Sequence, residues 1–272
     1  MYKLLLATDH AQVAAFFREE VDWHRMGYHH PYIVSSSQEA VTALESKAID
    51  AVGYLLEKSD GNTLNRYLRF GRPSLPVFEV TEDGEEQVRI LQELLRVMDR
   101  LHADFYDEYY DPKTVMMQLK DEFIHDLLSG KISDFSYVQR LLIYLRARFD
   151  PEKPLMLFDI DMPQGEIYMS ERHDPALRQE RLEAALRNNF FGRYQDEVFY
   201  GVAVVSPRHI RLAAIPAEGA GDISTLSDKV RQHVEDSFEM VKNYLELDMN
   251  ISRIRILESM RELMAPVDAK EE

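Results

Sequence analysis

The stretch that decides the fold of the N-terminal region is MYKLLLATDH, residues 1–10, a short apolar run that ends in three polar residues. Such a run predicts a buried β-strand over residues 2–7, and it lacks the architecture of a signal peptide. In residues 11–20 the apolar positions recur at helical spacing, and Asp9 or His10 can cap that helix. The opening of the chain therefore predicts one strand followed by one amphipathic helix.

The alternation of strand and helix continues to Leu56 and falters over the polar residues 57–62, before a short helix, one more strand and a strong amphipathic helix that ends at Leu101. A serine run over residues 35–37, followed by Glu39, predicts the capped start of a second helix. Strands and helices at this rhythm predict βαβ units around a parallel sheet. The predicted elements are strands over 32–34, 51–56 and 76–80, and helices over 38–46, over 63–70 and after Asp83-Gly84 as far as Leu101.

The C-terminal half of the chain has a different order of elements. An acidic and aromatic run over residues 104–111 predicts a domain junction, and a second unit begins at Pro154. Its order of strand, helix, hairpin, long helix and strand predicts an α+β sandwich with helices on one face. The predicted elements are connector helices over 115–128 and 134–148, strands over 155–160, 199–205, 210–215 and 251–256, and helices over 175–189 and 223–245.

Composition excludes several classes of function. The 272 residues include 32 Lys and Arg against 48 Asp and Glu, a formal net charge of −16. Because phosphate binding needs clustered cations, this balance argues against a nucleic-acid surface. The sequence has no Cys, which excludes disulfides, thiolate zinc sites and Cys nucleophiles. No apolar run is long enough to span a bilayer, so we expect a cytoplasmic protein without a membrane partner.

Four segments of the chain resemble one family of signalling proteins. They are residues 1–10, the turn over 21–28, the helix over 118–130 and the strand over 155–161. These segments are similar to YesN-type two-component response regulators, which join a receiver domain, a degenerate GGDEF-like region and an AraC-type DNA-binding domain. The resemblance implies an α/β fold: a truncated receiver-like (flavodoxin-like) parallel sheet, a helical connector and an α+β domain of the GGDEF/cyclase type.

The resemblance divides the chain into four predicted regions. They are a degenerate receiver-like domain over 1–104, a helical connector over 105–151, a degenerate GGDEF-like domain over 152–260 and a tail or linker over 261–272. Because the tail is short and polar, we expect the DNA-binding domain to be absent from this chain.

The receiver-like region departs from an active receiver at the positions that carry its chemistry. An active receiver clusters acids after its first strand to hold Mg²⁺, and it is phosphorylated on an Asp that ends its third strand. Here Thr8 replaces the first acid, Leu55 stands at the phosphoacceptor position, and the Lys expected near Val80 is missing. The chain between Leu56 and Leu75 is also too short for a full helix, strand and helix, which predicts the loss of one βα unit.

Three carboxylates remain near the two implied metal sites. Asp9 is either the N-cap of the first helix, which we expect, or a metal ligand. Asp159 and Asp161 lie in the strand that resembles the metal-binding strand of a diguanylate cyclase. They are either solvated carboxylates at a strand end, which we expect, or a vestigial cation site. We therefore expect no catalytic residue, no phosphoacceptor, no metal and no cofactor.

Residues 193–198, RYQDEV, look like a GGDEF signature but lack its two glycines. Those glycines let backbone amides approach the nucleotide in the tight turn of a hairpin. Asp196 and Glu197 precede the predicted hairpin, and its own four-residue turn, 206–209, has neither a glycine nor an acid. The sequence therefore predicts no cyclase activity.

The helix that ends at Leu101 is the predicted interaction surface. We expect a homodimer through this helix or the connector helices, and the alternative is that its apolar stripe is buried within its own domain. The predicted function is a non-enzymatic signal-transduction and transcription-regulator module that acts through protein interaction. The alternative is a sensor whose GGDEF-like domain binds a nucleotide or other small molecule without turnover. The stripe consists of Leu91, Leu94, Leu95, Met98 and Leu101.

Overall fold

The computed structural model describes residues 1–103, 111–170, 181–186, 194–195 and 197–264. The chain divides into two compact units, each built from two separate segments. Both units take up parts of the predicted connector. Unit 1 comprises residues 1–119 and 136–147, and unit 2 comprises residues 120–135 and 148–272.

Unit 1 contains a four-stranded parallel sheet with the order β2-β1-β3-β4. In the centre of this sheet, Leu5 of β1 lies opposite Tyr32 of β2 and Val52 of β3. The parallel sheet predicted from the alternation of strands and helices is thus confirmed. The strands are β1 (Leu4–Thr8), β2 (Tyr32–Val34), β3 (Ala51–Leu55) and β4 (Val77–Glu79).

Helices cover both faces of this sheet, as a parallel sheet requires. Leu5 lies in a buried cluster with residues of the second and third helices, including Leu44 and Leu64. Leu4 and Leu6 point to the opposite face and are also fully buried, and the first helix contacts β1. The helices are α1 (Ala11–Glu19), α2 (Ser37–Ser46), α3 (Lys58–Gly71) and α4 (Gly84–Leu101).

The starts of α1 and α2 differ in how they are capped. The predicted cap of α2 is confirmed, because the side chain of Ser36 accepts a hydrogen bond from the backbone N–H of Glu39. A carboxylate oxygen of Glu39 in turn accepts from the N–H of Ser35 at 2.8 Å. The N-cap of α1 is His10, whose side chain makes no capping hydrogen bond. The prediction that Asp9 caps this helix is therefore wrong.

α3 is longer than the predicted helix over 63–70. Its first turns, from Lys58 to Thr63, are polar and mostly exposed, so they contribute no apolar periodicity. Only Leu64 and Leu68 of this helix are buried. Pattern reading therefore found the part of α3 that packs and missed the part that faces solvent.

Two further helices, α5 (Pro112–Leu128) and α6 (Phe135–Tyr144), end in left-handed residues. Gly130 has φ 72° after α5, as the sequence predicts for a glycine helix stop. Arg146 has φ 56°, and the N–H of Ala147 donates to the carbonyl of Leu142. This left-handed turn ends α6 before the predicted end at Arg148.

Unit 2 contains a separate five-stranded antiparallel sheet with the order β6-β7-β8-β5-β9. In its middle, Asp159 of β5 lies opposite Arg211 of β8 and Arg253 of β9. The strands are β5 (Leu155–Asp161), β6 (Tyr194–Gln195), β7 (Val198–Ser206), β8 (His209–Pro216) and β9 (Asn250–Leu257).

One face of this sheet forms the main core of unit 2. Phe158 of β5 packs there in a cluster with Val234 and Phe238 of the long helix α8 (Ile223–Leu245). The short helix α7 (Gly165–Ser170) and the helical residues 181–186 contribute to the same cluster. The prediction of a long helix over 223–245 is confirmed.

Helical residues also contact the other face of this sheet, so the prediction of helices on one face is wrong. Near Gly201 the backbone approaches the side chain of Ile124 in α5 so closely that a Cβ would overlap it. Arg211 donates to the carbonyl of Leu128, at the end of the same helix, at 3.3 Å. Leu157 on this face is buried, so this apolar side chain also requires a packing partner outside the sheet.

Two details of the hairpin region differ from the predictions. Ser206 pairs with His209, so the turn between β7 and β8 has two residues rather than four. β6 was not predicted, because a two-residue strand is too short to show an alternation.

The described residues do not cover every prediction. Residues 104–110 of the predicted junction, most of the predicted helix over 175–189 and residues 265–272 of the tail lie outside them. Within them, none of the helices combines the length and apolar character that crossing a membrane requires. Trp23 is buried, as expected for a core residue beside α1.

Candidate functional site

The carboxyl ends of β1 and β3 meet at the edge of the sheet where ligands of parallel sheets bind. Thr8 lies opposite Leu55 at these two strand ends, and Thr8 is buried. The Thr8 hydroxyl accepts a hydrogen bond from the N–H of His10 at 3.2 Å. The end of β1 therefore has no carboxylate where the resemblance implies the first acid, and the end of β3 has none where it implies the phosphoacceptor.

Asp9 ties the ends of these two strands together. Its Oδ2 accepts a hydrogen bond from the backbone N–H of Glu57, just after β3, at 3.2 Å. Its Oδ1 lies 3.6 Å from Nε2 of His10, whose Nδ1 lies 3.2 Å from a carboxylate oxygen of Glu82. Among the described residues, no group of three or more His, Cys, Asp or Glu converges as metal ligands. The hydrogen bond of the Asp9 carboxylate thus connects the end of β1 to the loop after β3.

Gln87 of α4 completes this edge, and sequence reasoning missed it. The side chain is fully buried, its Oε1 accepts from the N–H of Thr81 at 2.9 Å, and its Nε2 donates to the carbonyl of Glu79 at 3.3 Å. A neutral amide that is satisfied by backbone groups therefore lies at the end of β4. The available signal was a polar residue inside the apolar stripe of α4.

In unit 2, Asp159 is neutralised by two arginines. Its Oδ1 lies 3.1 Å from Nε of Arg211 and its Oδ2 lies 2.9 Å from Nη2 of Arg255. The side chain of Asp159 is only 18% exposed, so the prediction of a solvated carboxylate is wrong. Because both oxygens already bind guanidinium groups, a divalent cation would have to displace a protein cation.

Asp161 is more exposed and lies at the end of β5. Its Oδ1 is 2.8 Å from Nδ1 of His209, the residue opposite it in β8. The next residue, Met162, donates its N–H to the carbonyl of Arg208 at 2.8 Å. The end of β5 is thus bound to the hairpin turn by its backbone, and the carboxylate of Asp161 lies beside the imidazole of His209.

That turn, Pro207 and Arg208, is the one that the resemblance compares with a nucleotide-binding turn. Pro207 has no N–H, and the N–H of Arg208 donates to Oγ of Ser206 at 3.3 Å. The carbonyl of Pro207 faces the backbone of Gly165 so closely that a Cβ at residue 165 would overlap it. Neither residue of the turn therefore offers a free N–H to a phosphate.

The segment that looks like a GGDEF signature lies at the other end of β7. Val198 is opposite Pro216 and Ser206 is opposite His209, so the described residues 194, 195, 197 and 198 of this segment are remote from Asp161 along the sheet. Gln195 pairs with Val198 in a short second hairpin, and Asp196 lies outside the described residues.

The predicted interaction stripe of α4 packs within unit 1. Leu91, Leu94, Met98 and Leu101 are buried, and Leu95 contacts the backbone of Gly27. This is the alternative that the sequence left open, in which the stripe belongs to the core of its own domain.

The residues of α6 pack on the next face of α4, also within unit 1. Arg140 is 4% exposed and binds Glu93 through two hydrogen bonds, of 2.6 and 2.8 Å. This bidentate contact raises the pKa of Arg140, although burial opposes the shift. The hydroxyl of Tyr144 donates to the carbonyl of Ile90 at 3.2 Å. Sequence reasoning missed this contact, because it read residues 134–148 only as a connector.

Comparison with known proteins does not identify the chain: no protein-family model matches the sequence, and no curated protein is significantly similar to it.

Proposed function

We propose that this chain is a non-enzymatic signal-transduction module of the transcription-regulator type that acts through protein interaction. The pairing of Asp159 with Arg211 and Arg255 is the observation that carries the proposal. In a cyclase-like site this carboxylate would bind a divalent cation that neutralises a triphosphate. Two arginines fixed on neighbouring strands supply that neutralisation from within the protein.

The parallel sheet of unit 1 supports the same proposal by a different route. Phosphoryl transfer to a receiver needs an acceptor carboxylate and acids that hold Mg²⁺. Leu55 and Thr8 occupy the corresponding strand ends, and Asp9 is bound to the N–H of Glu57. Signalling through unit 1 would then depend on binding, which shifts an equilibrium only by differential affinity.

The filled interior of unit 2 favours protein interaction over the alternative of a nucleotide sensor. Met156, Phe158 and Ile160, on the core face of β5, are fully buried in an apolar cluster. A cavity of about 460 Å³ lies instead in unit 1, near the amino ends of β3 and β4, with Asp50 and Arg72 in its wall.

The proposal is tested in unit 2 with GTP and Mg²⁺ or Mn²⁺. We expect no cyclic dinucleotide from the wild type, measured by chromatography with mass detection, and the same result for Asp159→Ala. Turnover by the wild type that Asp159→Ala abolishes would contradict the proposal.

The test in unit 1 is incubation with a small-molecule phosphodonor and Mg²⁺. We expect the intact mass to stay unchanged, because Leu55 cannot form an acylphosphate. A gain of one phosphoryl group that Asp9→Asn removes would contradict this part of the proposal.

The proposal includes a homodimer and, because the net charge of the chain is −16, no binding of duplex DNA by these residues. A light-scattering mass of one 31.8 kDa chain at high concentration would contradict the dimer. Tight, salt-sensitive binding of duplex DNA by this chain would contradict the second of these expectations.

A further inference from the structure

β9 is an edge strand of the unit 2 sheet as far as the structure describes it. It pairs with β5 on one side, and its eight residues make it far longer than β6 at the opposite edge. An edge strand presents a row of backbone N–H and carbonyl groups that another strand can pair with.

The two faces of β9 carry different chemistry. Arg253 and Arg255 share one face, and Ile254 and Ile256 share the other. Arg253 is exposed and makes no ion pair with a described residue, and the side chain of Ile256 is 50% exposed. β9 therefore offers a cation that no described residue neutralises and an exposed apolar side chain, in a protein whose net charge is −16.

The inner neighbour of β9 shows which strand chemistry these residues accept. In β5, acidic and apolar residues alternate from Phe158 to Asp161. Asp159 binds Arg255 at 2.9 Å, and Phe158 lies opposite Ile254. A strand on the outer edge would meet the same alternation of arginine and isoleucine.

A second copy of β9 fits this edge poorly when the two strands pair about Arg253 or Ile254. Antiparallel pairing of two β9 strands on Arg253 or on Ile254 would place arginines opposite arginines on one face. Like charges directly opposite each other destabilise a strand pair. An acidic partner strand, by contrast, would pair with the exposed Arg253.

We propose that the outer edge of β9 binds an extended segment of a partner protein in which acidic residues alternate with apolar residues. Binding is by strand addition: backbone hydrogen bonds supply the affinity, and side-chain pairing with Arg253 and Ile256 supplies the specificity. The inference rests on the proposed function only in that unit 2 acts through protein interaction.

The test uses the full chain and a fluorescein-labelled peptide in which three aspartates alternate with three isoleucines. Fluorescence anisotropy should show saturable binding, and a peptide with lysines in place of the aspartates should not bind. Arg253→Glu should weaken binding by about tenfold or more, because it replaces an attraction with a repulsion. The matched control Arg231→Glu, an exposed position on α8, should leave the affinity within about twofold.

Hydrogen exchange locates the bound peptide. Amides of residues 250–257 should gain protection on peptide binding, and those of β2, at an edge of the other sheet, should not. Equal binding of both peptides, protection elsewhere, or no binding at about 1 mM would overturn the proposal. Self-association that Arg253→Glu abolishes would identify a second copy as the occupant and would overturn it as well.

These results are separable from a failure of the proposed function. GTP turnover would contradict the non-enzymatic proposal and would leave a positive peptide result standing. If the peptide does not bind and GTP is not turned over, only the proposed binding of a partner strand at β9 is overturned.

Discussion

The two sheets differ in the charge they carry at the residues that the sequence singles out. In unit 1 the uncharged Thr8 and Leu55 stand at the ends of β1 and β3. In unit 2 Arg211 and Arg255 bind the carboxylate of Asp159 from the two neighbouring strands. The two units thus leave no unpaired charge at these residues by two routes, an absent carboxylate and a paired one.

The two routes differ in how strongly the surrounding residues depend on each other. Asp9, in unit 1, holds one backbone N–H at an exposed edge. Arg211, in unit 2, binds Asp159 and also the last carbonyl of α5, so its removal affects the sheet and the helix together. Substitutions of Asp159 or its two arginines in unit 2 should consequently cost more stability than substitutions of Asp9 in unit 1.

The largest expected effect concerns the contact between Arg140 and Glu93, which lies in unit 1 but away from the edge of the sheet. Arg140→Ala leaves the carboxylate of Glu93 buried without its cation and should destabilise unit 1 by about 3–5 kcal/mol. The chain has one Trp, Trp23 of unit 1, so its fluorescence during denaturation reports this unit. The double variant Arg140→Met with Glu93→Leu should recover most of the loss. A cost below about 1 kcal/mol for Arg140→Ala would show that the contact is not stabilising.

The next effect tests the unit 2 cluster directly. Arg211→Ala removes one charged partner of Asp159 and should cost about 2–3 kcal/mol of unfolding free energy. The loss should appear in the far-ultraviolet circular dichroism, while the Trp23 transition stays in place. Arg208→Ala is the matched control, since this exposed residue pairs with the exposed Glu166 and its loss should cost less than about 1 kcal/mol. Equal costs for the two variants would break the comparison.

Alkaline pH should affect unit 1 through two buried tyrosines. Burial raises the pKa of Tyr28 and Tyr144 well above the usual value of 10.0. Their neutral forms therefore stabilise the folded state fully below pH 10, and that stability is lost as the pH rises above it, because only the unfolded state ionises.

Replacement by phenylalanine measures this dependence. Each of Tyr28→Phe and Tyr144→Phe should reduce the fall in unfolding free energy by about 1.4 kcal/mol per pH unit above pH 10. Denaturation followed by Trp23 fluorescence at several pH values gives the slope. In unit 2, burial raises the pKa of Tyr200 to about 12. Tyr200→Phe should therefore remove a fall in unfolding free energy that begins near pH 10 and ends near pH 12. An unchanged slope in the unit 1 variants would contradict the argument.

The smallest expected effect belongs to the edge of the parallel sheet. Asp9→Ala removes one hydrogen bond, to the N–H of Glu57, and should cost about 1 kcal/mol or less. A loss as large as that of Arg211→Ala would mean that both sites depend on their carboxylate to the same degree.

Some of the fold could be predicted from the sequence because it depends on residues close together in the chain. The apolar run Leu4–Ala7, the capped start of α2 and the long helix over 223–245 are local patterns, and the structure contains all three. The absence of a carboxylate at Thr8 and at Leu55 could also be read from the sequence, since it is a property of single positions.

The candidate sites were less predictable, because they depend on contacts between distant residues. Arg211 and Arg255 are separated from Asp159 by 52 and 96 positions, and no local pattern links them. The contact of Asp9 with Glu57 replaced the predicted cap for the same reason, since the two residues meet only when β1 and β3 pair.

The sequence by itself determined which segments become strands and helices, and which charged groups are missing, because backbone propensity and apolar spacing act over a few residues. Tertiary structure alone decided that α6 belongs with α4, that α5 contacts the second face of the unit 2 sheet, and that Asp159 is surrounded by arginines. The physical reason is that burial removes water from these groups. Each buried charge then needs a partner of opposite sign, and only the folded chain brings that partner within reach.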